Sequence, residues 1–427
     1  MTPVSPRELL EASFRAAVAA ADPLKIVPAH LPPPPMGRTL VLAAGKAACA
    51  MAQAVEQHWP ADKKLFGIAL TRYGHALPLD KIRWVEASHP VPDEAGENAA
   101  REMMAAARAV KPMDQVIALF SGGGSALLSL PAEGITIGDL RKVTRDLLRC
   151  GASIQEINTV RKHVSSIHGG RLAAACKAPI LALAISDVTG DDPTHIASGP
   201  CSPDPTTFQD AVDVLNHFEI KPPRAILEHL TAGLRGERPE TPKPGDPAFK
   251  NVTTKVIATA HRSLEAAAAL FQEHGVTPVI LGDSITGEAR EVAKVMAALV
   301  REIRQHGLPF KPPVALLSGG ECTVTIGPAG GRGGRCSEFL LALAQELRGV
   351  PDVHGIAADT DGIDGSEDNA GAFLSPDSLA RGREQGLEAK RLLAGNDSYG
   401  FFSALGDLLV TGPTLTNVND YRAILIR

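Results

Sequence analysis

The stretch VIALFSGGGSALL, residues 116–128, decides the reading of the fold. Five apolar residues run into Ser121, Gly122, Gly123, Gly124 and Ser125, and a second apolar run follows at once. A short continuous apolar run that ends on small residues and passes into a helical period describes a strand buried on both faces, closed by a tight strand-to-helix turn. The same design recurs at residues 39–43, 180–185, 255–259, 278–281, 314–317, 353–357 and 408–410, alternating with helical patterns such as 263–274 and 288–305. Strands that alternate with helices predict an α/β protein with mostly parallel sheets flanked by helices.

Punctuation supports this outline. Ser5, Pro6 and Glu8 form an S-x-x-E helix start, with Leu10, Phe14 and Val18 on one face. Residues 237–250, ERPETPKPGDPAFK, hold four prolines and mixed charge with nothing to bury, so a domain boundary is expected there. The expected division is an N-terminal α/β domain over residues 1–240 and a C-terminal one over 250–427.

The 427 residues, 44% hydrophobic and 21% charged, are enough for two or three domains. Forty-three Lys+Arg against 48 Asp+Glu leave a net charge of −5, with no basic surplus for a nucleic acid backbone. No uncharged apolar run reaches a membrane-spanning length, and the charged first helix is unlike a signal peptide, so a cytoplasmic protein is expected. The six cysteines lie singly, without metal-ligand spacing. An aromatic content of 4% argues against base-stacking platforms.

In open parallel sheets, ligands collect at the carboxyl ends of strands. The residues found there are glycine, hydroxyl and carboxylate: AAGKAA at 43–48, SGGGSALL at 121–128, SDVTGDDP at 186–193, SGGECTVT at 318–325 and ADTDGIDGSED at 358–368. The turn of Ser121, Gly122, Gly123, Gly124 and Ser125 would present backbone N–H groups to an anion, against the plainer reading of a turn whose glycines serve packing alone. Lys46 stands at a helix start, where a cation opposes the helix dipole unless an anion arrives. Asp187, Asp191, Asp359 and Asp361 are strand-end carboxylates suited to Mg²⁺ shared with substrate phosphates, or equally to Asx turns. Arg332 and Arg335, set among the glycines of residues 327–335, offer planar forks for a phosphate or carboxylate. The basic side of residues 158–168 reads as a solvated helix face, and His195 as a structural hydrogen-bond partner. Neither G-x-x-x-x-G-K-[ST] nor G-x-G-x-x-G occurs.

SGGGSALL, EINTVRKHVSSIHGGRLA, SDVTGDDPTHIASGP, SGGECTVT, GRGGR-x-x-EF, AADTDGIDG and NDSYGFFSALGDLLVTGPTLTNVND resemble, in that order, the blocks of the glycerate 2-kinases that carry a C-terminal MOFRL domain, here at about residues 312–420. The resemblance implies two α/β domains with an active site in the cleft between them. It also implies ATP-dependent phosphorylation of D-glycerate at its 2-hydroxyl, with Mg²⁺. The expected partners are D-glycerate and a nucleotide, with a homo-oligomer compatible, and neither nucleic acid nor membrane. On this reading Lys46 and Arg335, supported by Arg332, meet the transferring phosphoryl group or the glycerate carboxylate, and residues 121–125 cradle phosphates. Asp187 or Asp191 holds Mg²⁺ or takes the hydroxyl proton, with Asp359 or Asp361 as the second choice. One departure is Cys336-Ser337, where many members read Asn-Gln. The alternatives are an NAD(P)H-dependent hydroxypyruvate reductase, disfavoured by the missing G-x-G-x-x-G, and a non-catalytic sugar-acid-binding regulator.

Overall fold

The structure, a computed structural model, describes residues 4–327 and 330–427. It separates into two compact units, Pro23–Ile257 and the residues up to Asp22 together with Ala258–Arg427.

The first unit is built on six strands, β1 (Thr39–Ala44), β2 (Leu65–Arg72), β3 (Ile82–Ala87), β4 (Gln115–Phe120), β5 (Ile180–Ile185) and β6 (Val252–Ala258), in the order β3-β2-β1-β4-β5-β6. The pairs β1/β2, β2/β3, β1/β4 and β4/β5 are parallel. β1 and β5 are buried along their whole length, as continuous apolar strands between two helical layers must be. Leu40, Leu42, Met103, Met104, Phe120 and Ile180 share one core. The chain leaves β1 toward β2 and β3 on one side and resumes at β4 on the other. The carboxyl ends of β1 and β4, where Ala44 pairs with Phe120, are therefore the topological switch point of the sheet.

The chain does not divide at residues 237–250 as expected. That proline-rich stretch is tied into the first unit: the Asp204 amide donates to the Pro242 carbonyl (2.9 Å) and the Phe208 amide to Glu240 Oε1 (2.8 Å). β6 then joins the first sheet. Its sequence contribution to burial is small, which is why composition placed it beyond a linker.

The second unit contains β7 (Thr277–Gly282), β8 (Gly287–Glu288), β9 (Val314–Ser318), β10 (Cys322–Thr323), β11 (Val353–Asp359), β12 (Gly371–Leu374), β13 (Leu408–Leu409) and β14 (Asp420–Ile426). Six of them form a sheet in the order β13-β12-β11-β14-β9-β7, and β8 pairs with β10 separately. Among the described residues of this unit the parallel expectation holds for β7/β9 and for the short pair β8/β10; the pairs β9/β14, β14/β11, β11/β12 and β12/β13 are antiparallel. Two of these pairs are made by β14, which inserts between β9 and β11 against both and is buried at every residue; the other two are made by β12, which runs against both β11 and β13. The helix Pro6–Ala20, opened by the Ser5/Glu8 capping box, belongs to this unit. Its Leu9, Leu10 and Phe14 pack with Leu264, Phe271 and Tyr421, each contributing about 2 kcal/mol by burial. Among the described residues, no helix is long and apolar enough to cross a membrane.

Candidate active site

At the switch point the two turns are locked to each other. The Lys46 amide donates to the Gly122 carbonyl (2.9 Å), the Ala47 amide to Ser121 Oγ (3.0 Å) and the Ser121 amide to the Ala44 carbonyl (3.1 Å). Gly45, at φ +132°, lies so close that a Cβ would stand 2.2 Å from Ser121 Oγ. Gly123, at φ +80°, faces the His89 ring and the Lys46 stem, and a Cβ on Gly124 would meet that of Ala197 at 2.6 Å. Packing therefore accounts for two of the three consecutive glycines. The helix that follows this turn is a single turn, Gly124–Leu127, too short for a macrodipole. What the turns do supply is proximity: Lys46, half-buried, stands over the glycine turn and beside His89.

Ser125 leads to a network that sequence reading missed. Ser198 Oγ lies 2.8 Å from Ser125 Oγ and 2.8 Å from Asn158 Oδ1, and Arg161 Nη1 donates to that same Asn158 oxygen (2.6 Å). The Asn158 amide in turn donates to the His195 carbonyl (3.3 Å). The helix Ile154–His163 is thus no solvated basic face: Lys162 and His163 are fully buried. Lys162 pairs with Asp204 (3.1 Å), both held away from water. Burial pushes the His163, His168 and His195 rings down, toward the neutral form, and for His168 the nearby Arg161 adds to this. The legible signal was Asn158 and Arg161, three apart on one helical face.

Asp187 follows β5 by two positions and is half-buried; Asp191 adopts φ +54° in the same loop. Asp192 spends Oδ1 on the Thr194 amide (2.8 Å), an Asx turn.

In the second unit, Arg335 does not wait for an anion. Its Nε meets Asp420 (2.6 Å), Nη2 meets Asp359 (2.8 Å) and Nη1 meets Glu321 (2.9 Å). Burial pulls its pKa down, but the three carboxylates outweigh that and hold it well above the usual value. Arg332 is largely exposed, paired with Glu367 (3.0 Å from Nε) and stacked over Tyr399 at 4.2 Å. Asp359 Oδ1 accepts the Asp361 amide (3.1 Å) and Asp361 Oδ1 the Ile363 amide (2.8 Å), so both carry Asx turns. Asp364 accepts the amides of Cys336 (2.9 Å) and Ser337 (2.8 Å) and the Ser337 hydroxyl (2.7 Å), which caps the helix Arg335–Leu347. Burial pushes its carboxyl up to about 6 despite those donors. Cys336 and Ser337 serve this cap through their backbone and one hydroxyl, so the departure from Asn-Gln leaves it intact. Glu338 joins Arg290 (2.6 Å) and Asn396 (3.1 Å), and Asn396 accepts the Gly327 amide (3.0 Å), which anchors the start of the arginine loop. Residues 328 and 329 of that loop lie outside the described residues. Among the described residues, no three His, Cys, Asp or Glu side chains gather as a metal cage.

A model of a domain of unknown function (DUF4147) matches residues 9–231, and the MOFRL family model matches residues 314–420. The glycerate 2-kinase of Pyrococcus horikoshii is 42% identical over 90% of this chain and 86% of its own. The crystal structure of glycerate kinase from Thermotoga maritima superposes with a TM-score of 0.86 at 36% identity, covering 99% of each chain. This chain belongs to the MOFRL-domain glycerate 2-kinase family. Within that family, a protein of Agrobacterium vitis that is 51% identical, over 99% of this chain and 95% of its own, is provisionally named a hydroxypyruvate reductase. The strand order of the first unit fits a family that handles nucleotides, since it places two glycine turns side by side at the switch point.

Proposed function

We propose that the protein transfers the γ-phosphoryl group of ATP to the 2-hydroxyl of D-glycerate, giving 2-phospho-D-glycerate and ADP. The reading rests above all on the paired turns at the carboxyl ends of β1 and β4, where Lys46 is held beside residues 121–125, in a chain 42% identical to a glycerate 2-kinase. Phosphoryl transfer asks a protein mainly to position two anions and to offset developing charge. Lys46 is the cation for the transferring group, and the backbone of residues 121–125 lines the phosphates. The 2-hydroxyl oxygen bonds to the γ-phosphorus as the bridging P–O bond to ADP breaks. Asp187, at the end of β5, receives the hydroxyl proton, with Asp191 behind it in the same loop.

Mg²⁺, when bound with the nucleotide, would offset the charge of the phosphates. An ion held by one or two carboxylates and by substrate phosphates would draw on whichever of Asp187 and Asp191 does not take the hydroxyl proton, Asp191 on the assignment above. Asp359 and Asp361 are committed to Arg335 and to Asx turns, so we assign them, with Arg335 and Arg332, to shaping the loops of the second unit. The cytoplasm suits such an enzyme.

The reductase reading draws on the strand order, shared with dinucleotide-binding sheets, and on the name of the Agrobacterium vitis relative. The turn after β1 nevertheless reads AAGKAA, in which Lys46 replaces the glycines that seat a pyrophosphate. Incubation with D-glycerate, ATP and Mg²⁺, and separately with hydroxypyruvate and NADH, decides the matter. ADP that appears only with D-glycerate supports the kinase, and NADH consumption with no ADP removes it. Phosphorus NMR of the product checks the position of transfer.

A further inference from the structure

The helix Ile154–His163 carries two adjacent cations whose circumstances differ. Lys162 is neutralised by Asp204 at 3.1 Å. Arg161 touches only neutral oxygens: Asn158 Oδ1 at 2.6 Å and Ser198 Oγ at 3.5 Å from Nη1. Among the described residues no carboxylate forms an ion pair with it, and burial with no opposing acid pushes its guanidinium down to about 10. Arg161 is half-buried, and a guanidinium partly withdrawn from water is ordinarily matched by an anion that repays its desolvation.

Polar groups with unused capacity lie in the same segments. Both ring nitrogens of His168, Nδ1 of His195 and Oγ1 of Thr194 are buried without a hydrogen-bond partner among the described residues. His168 is 1% exposed and feels the Arg161 charge directly, and His195 is joined to Asn158 through its carbonyl. Ser198 connects the set to Ser125 of the glycine turn at 2.8 Å. One planar fork flanked by hydroxyl and amide groups matches a singly charged carboxylate, whereas a triphosphate would need several cations.

We propose that Arg161, oriented by Asn158 and Ser198, binds the carboxylate of the acceptor substrate and so selects hydroxy acids over neutral polyols. The proposal rests on the kinase reading above. Its test varies D-glycerate and ATP separately for the full-length protein and for Arg161→Gln, Arg161→Lys and Asn158→Asp, with thermal melting to check folding. Arg161→Gln should raise the KM for D-glycerate about 10- to 100-fold, as loss of a charge-assisted bidentate contact does. The KM for ATP should stay within about threefold, since a contact to one substrate is lost. Arg161→Lys should fall between, a point charge replacing a fork. Asn158→Asp gives the guanidinium a resident carboxylate at the cost of the amide donated to the His195 carbonyl; it should weaken D-glycerate binding comparably in a protein that still melts cooperatively. With D-glyceramide, which lacks the negative charge, wild type and Arg161→Gln should have the same KM.

An unchanged D-glycerate KM in folded Arg161→Gln, or a rise in the ATP KM instead, overturns the assignment while the kinase reading stands. If Arg161→Gln does not fold, an unchanged D-glycerate KM in Asn158→Asp does the same. A wild-type protein that forms no ADP with D-glycerate overturns the kinase reading, and this assignment falls with it.

Discussion

In the unit built on the parallel sheet, Arg161 rests against an amide and a hydroxyl, without an acid; in the other unit, Arg335 is met by three carboxylates. The same side chain meets two different electrostatic settings. An arginine whose charge is already answered holds loops together and has little to offer a ligand, whereas one left unanswered in partly dry surroundings favours an incoming anion. Counting arginines in glycine-rich loops does not separate these cases; their partners do.

The sharpest way to break the contrast is to remove the cation assigned to chemistry. Lys46→Met should lower kcat/KM by about 10³-fold, the scale of losing one charge-stabilising donor, in an assay coupled to ADP. Retention within a few-fold of wild type would take Lys46 out of the mechanism. Next in size is Arg335→Met. It leaves Asp359 and Asp420, 4% and 2% exposed, without their shared counter-ion and should cost about 3 kcal/mol in urea unfolding. A loss under about 1 kcal/mol would mean that Arg422, 3.5 Å from Asp420, answers the charge alone.

Asp364 sharpens the comparison from the acid side. Its carboxyl, pushed up to about 6, keeps its proton in the folded state at pH values where the unfolded chain has released it. Stability contributed by this group is therefore greatest below about pH 4 and is lost as the pH rises toward 6. The stability gap between wild type and Asp364→Asn should narrow by about 2 kcal/mol across that window, read from denaturation midpoints at successive pH values. A gap that widens would show that the capping hydrogen bonds outweigh burial. The smallest effect is expected for Arg332→Ala. Its pair with Glu367 and its stacking on Tyr399 are exposed and screened by water, so their loss should leave the denaturation midpoint nearly unmoved. Turnover should be unchanged, and a 100-fold loss, about 2.7 kcal/mol, would return this arginine to the phosphates.

Much of the first sheet was legible because parallel strands buried on both faces leave an unbroken apolar run, as at residues 116–120 and 180–185. β2 and β3 escaped because Gly67, Arg72, Arg83 and Glu86 interrupt the apolar pattern on strands nearer the sheet edge. β14 escaped as well: Tyr421 and Arg422 look polar in isolation, yet Arg422 is buried with Nη1 on Cys322 Sγ (2.7 Å) and Nη2 on the Gly319 carbonyl (2.5 Å). At the candidate site, position after a strand was legible for Lys46, residues 121–125 and Asp187. Partnership was not. That Asp364 caps a helix, that Arg335 is saturated and that Arg161 is not are facts of tertiary contact between residues 28 to 85 apart or in neighbouring turns. The Asx-turn alternative offered for the aspartates describes Asp359 and Asp361 as found, and Asp192, beside Asp191, makes one too.

β14 also bears on the order in which the molecule can be assembled during synthesis. The parallel sheet has all its strands once residue 258 has left the ribosome, so it can close while translation continues. The other sheet lacks its central strand until residue 426 emerges, leaving the edge of β9 open for roughly the last 110 residues of elongation and that of β11 for roughly the last 70.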